Sequence, residues 1–131
     1  NMTTPEQAND FVSKTGVDLF APAVGNVHGI VTTGNPALDI ARVKAIAESI
    51  PGTPLVLHGG SGTTASDFQN AIKAGIAIVH INTELRVAYK EGLKKGLADN
   101  PHEVAPYKYV KPAVEAMEQV VEKNLRIFNF L

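Results

Sequence analysis

The chain of 131 residues is 44% hydrophobic and 19% charged with a net charge of −1, enough apolar content for one domain core and no broad electrostatic pull toward nucleic acid or an anionic membrane. Cysteine is absent, which excludes disulfides and thiolate metal sites and fits a cytoplasmic setting. No apolar run approaches the roughly 20 residues of a membrane span, and the polar stretch Asn1–Asn9 does not read as a signal peptide.

Thr4-Pro5-Glu6-Gln7 predicts a helix start. Thr4 caps, Pro5 suits the first turn, and Gln7 reaches back to complete a capping box. Ala8, Phe11 and Val12 give that helix an apolar face, and Gly16 stops it. The short apolar stretch Val17–Ala23 predicts a buried strand, weakened by Pro22 unless that residue lies near the end. It closes at Gly25-Asn26-Val27-His28-Gly29. A loop over Thr32–Pro36 leads to a second helix, about Ala37–Ser49, with Ile40, Val43, Ala47 and Ile50 as its stripe and Pro51-Gly52 as its end. The strand Leu55–Leu57 follows. Thr64-Ala65-Ser66-Asp67 opens a short helix with Phe68 and Ile72 buried and Gly75 as its stop. A third strand, Ile76–Asn82, precedes a helix marked by Leu85, Ala88, Tyr89, Leu93 and Leu97 and broken at Asn100-Pro101. A connector with Pro106 and Pro112 yields a last helix with Met117, Val121, Leu125 and Phe128 facing inward. Apolar strands alternating with amphipathic helices imply an α/β architecture around a parallel sheet.

Each of the three predicted strands ends at or near a histidine: His28, His58 and His80. Parallel strands joined by right-handed crossovers gather their C-terminal ends on one side, and neighbours lie about 4.8 Å apart. His28 and His58 are separated by one helix-containing crossover, so two imidazoles could converge on zinc or a similar metal. The plain alternative is that each histidine is a structural residue bonded to nearby backbone. His80 admits two uses, a third ligand or a neighbour of the more hydrogen-bonding Asn82, Thr83 and Glu84. Asn82 and Thr83 in turn suit either a helix cap or a phosphate facing a helix N-terminus. The loop Gly59-Gly60-Ser61-Gly62 is the strongest anion signal, because glycines expose backbone N–H groups; its bland counterpart is a tight strand-to-helix turn. It is neither a Walker loop nor a full dinucleotide fingerprint.

Val24-Gly25-Asn26-Val27-His28-Gly29, Leu55-Val56-Leu57-His58-Gly59-Gly60-Ser61-Gly62 and His80-Ile81-Asn82-Thr83-Glu84-Leu85 resemble three successive motifs of the class II, zinc-dependent fructose- and tagatose-bisphosphate aldolases. The resemblance runs over essentially the whole chain, including Pro106-Tyr107-Lys108-Tyr109 and the last helix. It implies a TIM (β/α)8 barrel, of which this chain would be the C-terminal part: the last three strand–helix units plus the C-terminal helix. A barrel of that kind takes about 250 residues, so an upstream part is expected beyond this chain. The resemblance makes His28 and His58 two of three metal ligands, for zinc or another divalent ion, with room for a monovalent cation. It assigns Gly29, Gly59 and Ser61 to the phosphate of dihydroxyacetone phosphate. His80, Asn82 and Thr83 match substrate-contacting positions, and the groups that move protons, with the third ligand, are expected upstream. The implied reaction is reversible aldol cleavage of a ketose bisphosphate to dihydroxyacetone phosphate and glyceraldehyde 3-phosphate, in a homodimer or homotetramer. Two departures stand out: His80 occupies a position where the family usually has Asn, and Thr32 lies where fructose-type members often carry a phosphate-binding Lys. They motivate the competing expectations of a non-catalytic sugar-phosphate-binding relative or a different phosphate-binding barrel enzyme.

Overall fold

A computed structural model of the chain describes residues 2–27, 29 and 37–131. His28 and Thr32, and with them the paired-histidine expectation, lie outside the described residues. The chain divides into two compact units, Asn1–Ile81 and Asn82–Leu131.

In the first unit, helix α1 (Pro5–Thr15) starts with the expected reciprocal cap: Gln7 N–H donates to Thr4 Oγ1 at 3.2 Å and Thr4 N–H donates to Gln7 Oε1 at 3.0 Å. Gly16 closes it. Ala8 is the residue it buries fully, and Asn9 Nδ2 donates to the Ser49 carbonyl at 2.8 Å, tying α1 to α2 (Ile40–Ser49). The second helix starts three residues later than the sequence pattern predicts. Asp39 is its N-cap and accepts from Arg42 N–H at 2.9 Å and from Arg42 Nε at 3.0 Å. The Arg42 backbone N–H first, and its guanidinium second, hold the Asp39 carboxyl below the usual carboxylate range.

The strand β1 (Leu55–Leu57) is buried throughout and pairs in parallel with β2 (Ile76–Val79), as the alternation of elements predicts. Its other edge meets the predicted strand Val17–Ala23, but only at one rung, the bridge Phe20–Leu55. Phe20 N–H donates to the Pro54 carbonyl at 3.1 Å and Val56 N–H donates to the Phe20 carbonyl at 2.8 Å. The next donor in that parallel ladder falls on Pro22, which has no N–H to give, so the strand stops there. Helix α3 (Ala65–Ala74), capped by Thr64, buries Phe68 and Ala71 rather than Phe68 and Ile72. Leu55, Leu57, Ile46, Val43, Val24 and Phe68 fill the core of this unit.

The second unit consists of α4 (Thr83–Asp99), the single turn α5 (Pro106–Tyr109) and α6 (Lys111–Phe128), with α4 packed along α6. The expected apolar stripes are not what joins the helices. Leu97 is 49% exposed, Val121 44% and Leu125 55%. The buried positions are Gly92 and Gly96 on α4 and Ala113 and Asn124 on α6. A Cβ on Gly92 would lie 2.5 Å from the Pro112 carbonyl oxygen and 2.6 Å from the Ala113 Cα, so the backbones meet where the side chains are missing. Asn124 Nδ2 bonds the Val120 carbonyl at 3.1 Å and reaches Glu84 Oε2 at 3.5 Å. Of the predicted inward stripe of α6, Met117, Val121 and Leu125 line an open groove with Val114 and Leu131, while Phe128 is half-buried outside it. Among the described residues no helix is long and apolar enough to cross a membrane.

Candidate functional site

The first unit ends its central strand in a polar corner. Leu57 is fully buried and His58, the next residue, is exposed. Two parallel neighbours fix the position of that corner. His80 N–H donates to the Leu57 carbonyl at 3.0 Å, which sets the end of β2 level with the end of β1. The His80 side chain is also exposed, and its ring centre stands 4.9 Å from that of His58 with 79° between the ring planes. The structure thus brings His58 and His80 together.

The loop after His58 is built from backbone. Gly59 and Gly62 have φ of 67° and 85°, left-handed values that a residue with a Cβ adopts only at a cost. Gly60 needs its missing side chain for a different reason: a Cβ there would sit 3.0 Å from Phe68 Cε1 and 3.4 Å from Ile81 Cδ1. The loop therefore rests directly on the buried Phe68 ring of α3. Ser61, within the loop, is buried at 8% exposure, and Thr63 N–H closes the turn on the Gly60 carbonyl at 3.1 Å. A glycine-rich loop before a helix is the kind of backbone used elsewhere to bind anions, the chemistry expected of Gly59 and Ser61. Gly29 is exposed, and among the described residues no atom lies within 4 Å of where its side chain would begin.

Asn26 is the residue that the sequence pattern did not single out. Its Nδ2 donates to the His58 carbonyl at 2.7 Å, and its Oδ1 accepts from Val24 N–H at 2.8 Å. One amide thus fastens the segment after the Phe20 bridge to the end of β1. Its place in a Gly-Asn-Val-His-Gly turn signals a bend, but nothing local signals a contact with a carbonyl 32 positions away.

Asn82 and Thr83 belong to the second unit. Asn82 is the N-cap residue of α4 but its side chain makes no capping hydrogen bond, so the helix-cap use expected of it is not realised. Thr83 is the first residue of α4, and Glu84 in the first turn meets Asn124.

For a divalent ion the donors present fit in kind. Imidazole nitrogens suit zinc and its neighbours in the first transition row, and both rings stand at a solvent-facing strand end. Among the described residues no group of three or more His, Asp or Glu is close enough to hold an ion.

A family model for class II fructose-bisphosphate aldolases matches residues 1–130. Over 125 residues the chain is 39% identical to the D-tagatose-1,6-bisphosphate aldolase subunit GatY of Klebsiella oxytoca, a match that takes in 95% of this chain and 43% of the relative. The crystal structure of the YdjI aldolase from Escherichia coli K12 superposes with a TM-score of 0.79 at 34% identity, covering 98% of this chain and 46% of that one. A fructose-bisphosphate aldolase structure from Campylobacter jejuni gives a TM-score of 0.78 at 22% identity over 98% of this chain and 45% of that one, a likeness of fold alone. The chain spans less than half the length of each of these relatives.

Proposed function

The chain belongs to the class II fructose-bisphosphate aldolase family, and we propose that it supplies the C-terminal strand–helix units of that family's barrel and part of the active site for reversible aldol cleavage of a ketose bisphosphate. The observation that supports this most is the polar corner at the end of β1: an exposed His58 followed at once by a backbone-lined loop on Phe68. Products of the cleavage would be dihydroxyacetone phosphate and glyceraldehyde 3-phosphate.

In this proposal His58, with His28, holds a divalent ion, zinc in the first instance. The bound ion would supply Lewis-acid polarisation of the ketose carbonyl. The chain's own residues do the rest of what can be assigned here. Backbone N–H groups at Gly29, Gly59 and Ser61 hold the substrate phosphate, and the two in the Gly59–Gly62 loop sit in a segment braced on Phe68 through Gly60. Holding the phosphate fixes the reacting carbons relative to His58, which converts binding energy into orientation. Asn26 keeps the strand end carrying His58 from drifting. Asn82 and Thr83 are assigned to the substrate hydroxyls and phosphate, and the uncommitted Asn82 side chain is compatible with that use. The proton-moving groups and a further ligand belong to the rest of the barrel. The working form is a cytoplasmic homo-oligomer in this proposal.

The likeness to the tagatose-type GatY, together with the departures at His80 and Thr32 from the fructose-type pattern, favours a tagatose-type substrate over a fructose-type one. The test is an assay of the complete gene product on both bisphosphates, with and without a chelator. Cleavage should vanish on chelation and return with added zinc. Cleavage indifferent to the chelator overturns the proposal, and metal-dependent binding of sugar phosphate without cleavage supports the non-catalytic alternative.

A further inference from the structure

We propose that Asn26 is a positioning residue for the metal ligands: its amide takes over where Pro22 interrupts the backbone pairing, and sets the spacing of the two segments that carry His28 and His58. This deepens the metal-site part of the function proposed above and rests on it. Backbone pairing between those segments is the single rung Phe20–Leu55. The next donor on the first segment would be Pro22, which has no N–H. Beyond that rung Asn26 Nδ2 donates to the His58 carbonyl at 2.7 Å, so the tie falls on the backbone of the ligand residue itself. In the other direction His28 is two residues along the chain, no more than about 7 Å of extended backbone away. The amide is also held from behind. Its Oδ1 accepts from Val24 N–H at 2.8 Å, and the Val24 carbonyl accepts from the N–H of Asp39, the cap of α2, at 2.9 Å. Val24 is fully buried, and Gly25 takes a φ of 100° with the Ala37 carbonyl oxygen 3.0 Å from where its Cβ would lie. Asn26 is therefore anchored to the core and to α2 before it reaches across to His58.

The rival is that Asn26 only closes the turn at Gly25 through its bond from Val24 N–H. Two variants separate these uses. Asn26→Asp keeps an oxygen for Val24 N–H and loses the N–H groups that reach the His58 carbonyl. The charge it adds beside the site would draw a cation in, so a loss of metal affinity cannot come from that charge. Asn26→Ala loses both bonds. The complete gene product and both variants would be titrated with Co2+, following affinity and the visible spectrum, which reports the ligand geometry around the ion. The unfolding midpoint of each metal-free protein shows whether a variant still folds.

Asn26→Asp and Asn26→Ala are each expected to weaken Co2+ binding by about tenfold or more and to change the visible spectrum, as for other residues that orient a ligand from behind. Wild-type affinity and spectrum in Asn26→Asp would assign the residue to the turn alone and overturn the inference, whatever Asn26→Ala does. A wild type that binds no Co2+ overturns it as well. Aldol cleavage by the wild type, assayed alongside, keeps the two proposals apart. Chelator-sensitive cleavage with an Asn26→Asp indifferent in Co2+ binding sinks the positioning role and leaves the aldolase. Weakened Co2+ binding in Asn26→Asp without cleavage by the wild type leaves the positioning role and sinks the aldolase.

Discussion

In Asn1–Ile81 large side chains fill the space between elements, and in Asn82–Leu131 the absence of side chains lets elements touch. Phe68, Leu55, Leu57 and Ile46 lose nearly all their surface in the first unit. In the second, Gly92 and Gly96 let α4 lie against the start of α6 while Val114, Val121, Leu97 and Leu125 stay open to solvent. A core of the first kind can hold a loop rigidly above it, and the loop at Gly59–Gly62 is held that way, on Phe68. A contact of the second kind fixes the separation of two helices and leaves their apolar side chains uncommitted.

The strongest way to break that contrast is Phe68→Ala. The ring is 1% exposed, and removing it should cost about 3–5 kcal/mol, the range for emptying a large aromatic site in a core. Amide exchange should show the loss in β1, β2, α3 and the Gly59–Gly62 loop, with α4 and α6 keeping their protection. Phosphate-bearing ligands should bind more weakly in step with the loop. An equal loss of protection in α4 and α6 would show that the two units do not differ in the way argued.

Gly96→Ala tests the other half, and its sign is informative. In an ordinary helix interior this change gains about 1 kcal/mol of helix propensity. Here the new methyl would press on the Tyr109 carbonyl oxygen, a backbone atom that cannot swing aside. A net loss of about 1–3 kcal/mol is expected, as for overpacking elsewhere, with exchange rising in α4 and α6. A stabilised Gly96→Ala would mean that the helices are not held at glycine distance.

This difference also explains how much was legible in the sequence. The first unit follows rules that act over a few residues. The Thr4 capping box, the three-residue strand before His58, the Gly16 and Gly75 stops and the loop glycines all fall where local chemistry places them. Its failures are failures of range. The rung lost at Pro22 depends on which residue of β1 it faces, and the Asn26 bond to His58 joins segments 32 positions apart. In the second unit the periodicity rule itself misleads. It looks for bulky residues on the buried face, so it chose Leu97, Val121 and Leu125, where burial goes to Gly92, Gly96, Ala113 and Asn124. At the site, the type of residue at each strand end was legible, while the His58–His80 separation required the register of β1 against β2.

The smallest effect expected is electrostatic and confined to the second unit. Glu103 accepts from Lys108 Nζ at 2.8 Å, and from the N–H groups of Val104 and Ala105 at 3.0 Å each. Lys108 first, and the Ala105 N–H next, hold its carboxyl below the usual carboxylate range. A folded-state value below the unfolded one stabilises the fold above the unfolded value and ceases to as pH falls through the folded one. Glu103→Gln keeps an acceptor for the backbone donors and loses the charge that faces Lys108. Its unfolding midpoint should therefore trail the wild type slightly at neutral pH. The gap should close on acidification through the carboxylate range, and should also narrow in high salt, since Lys108 is well exposed. A gap that stays flat from neutral to acid pH would show that the Glu103 charge adds nothing to the turn between α4 and α5, with Lys108 a bystander.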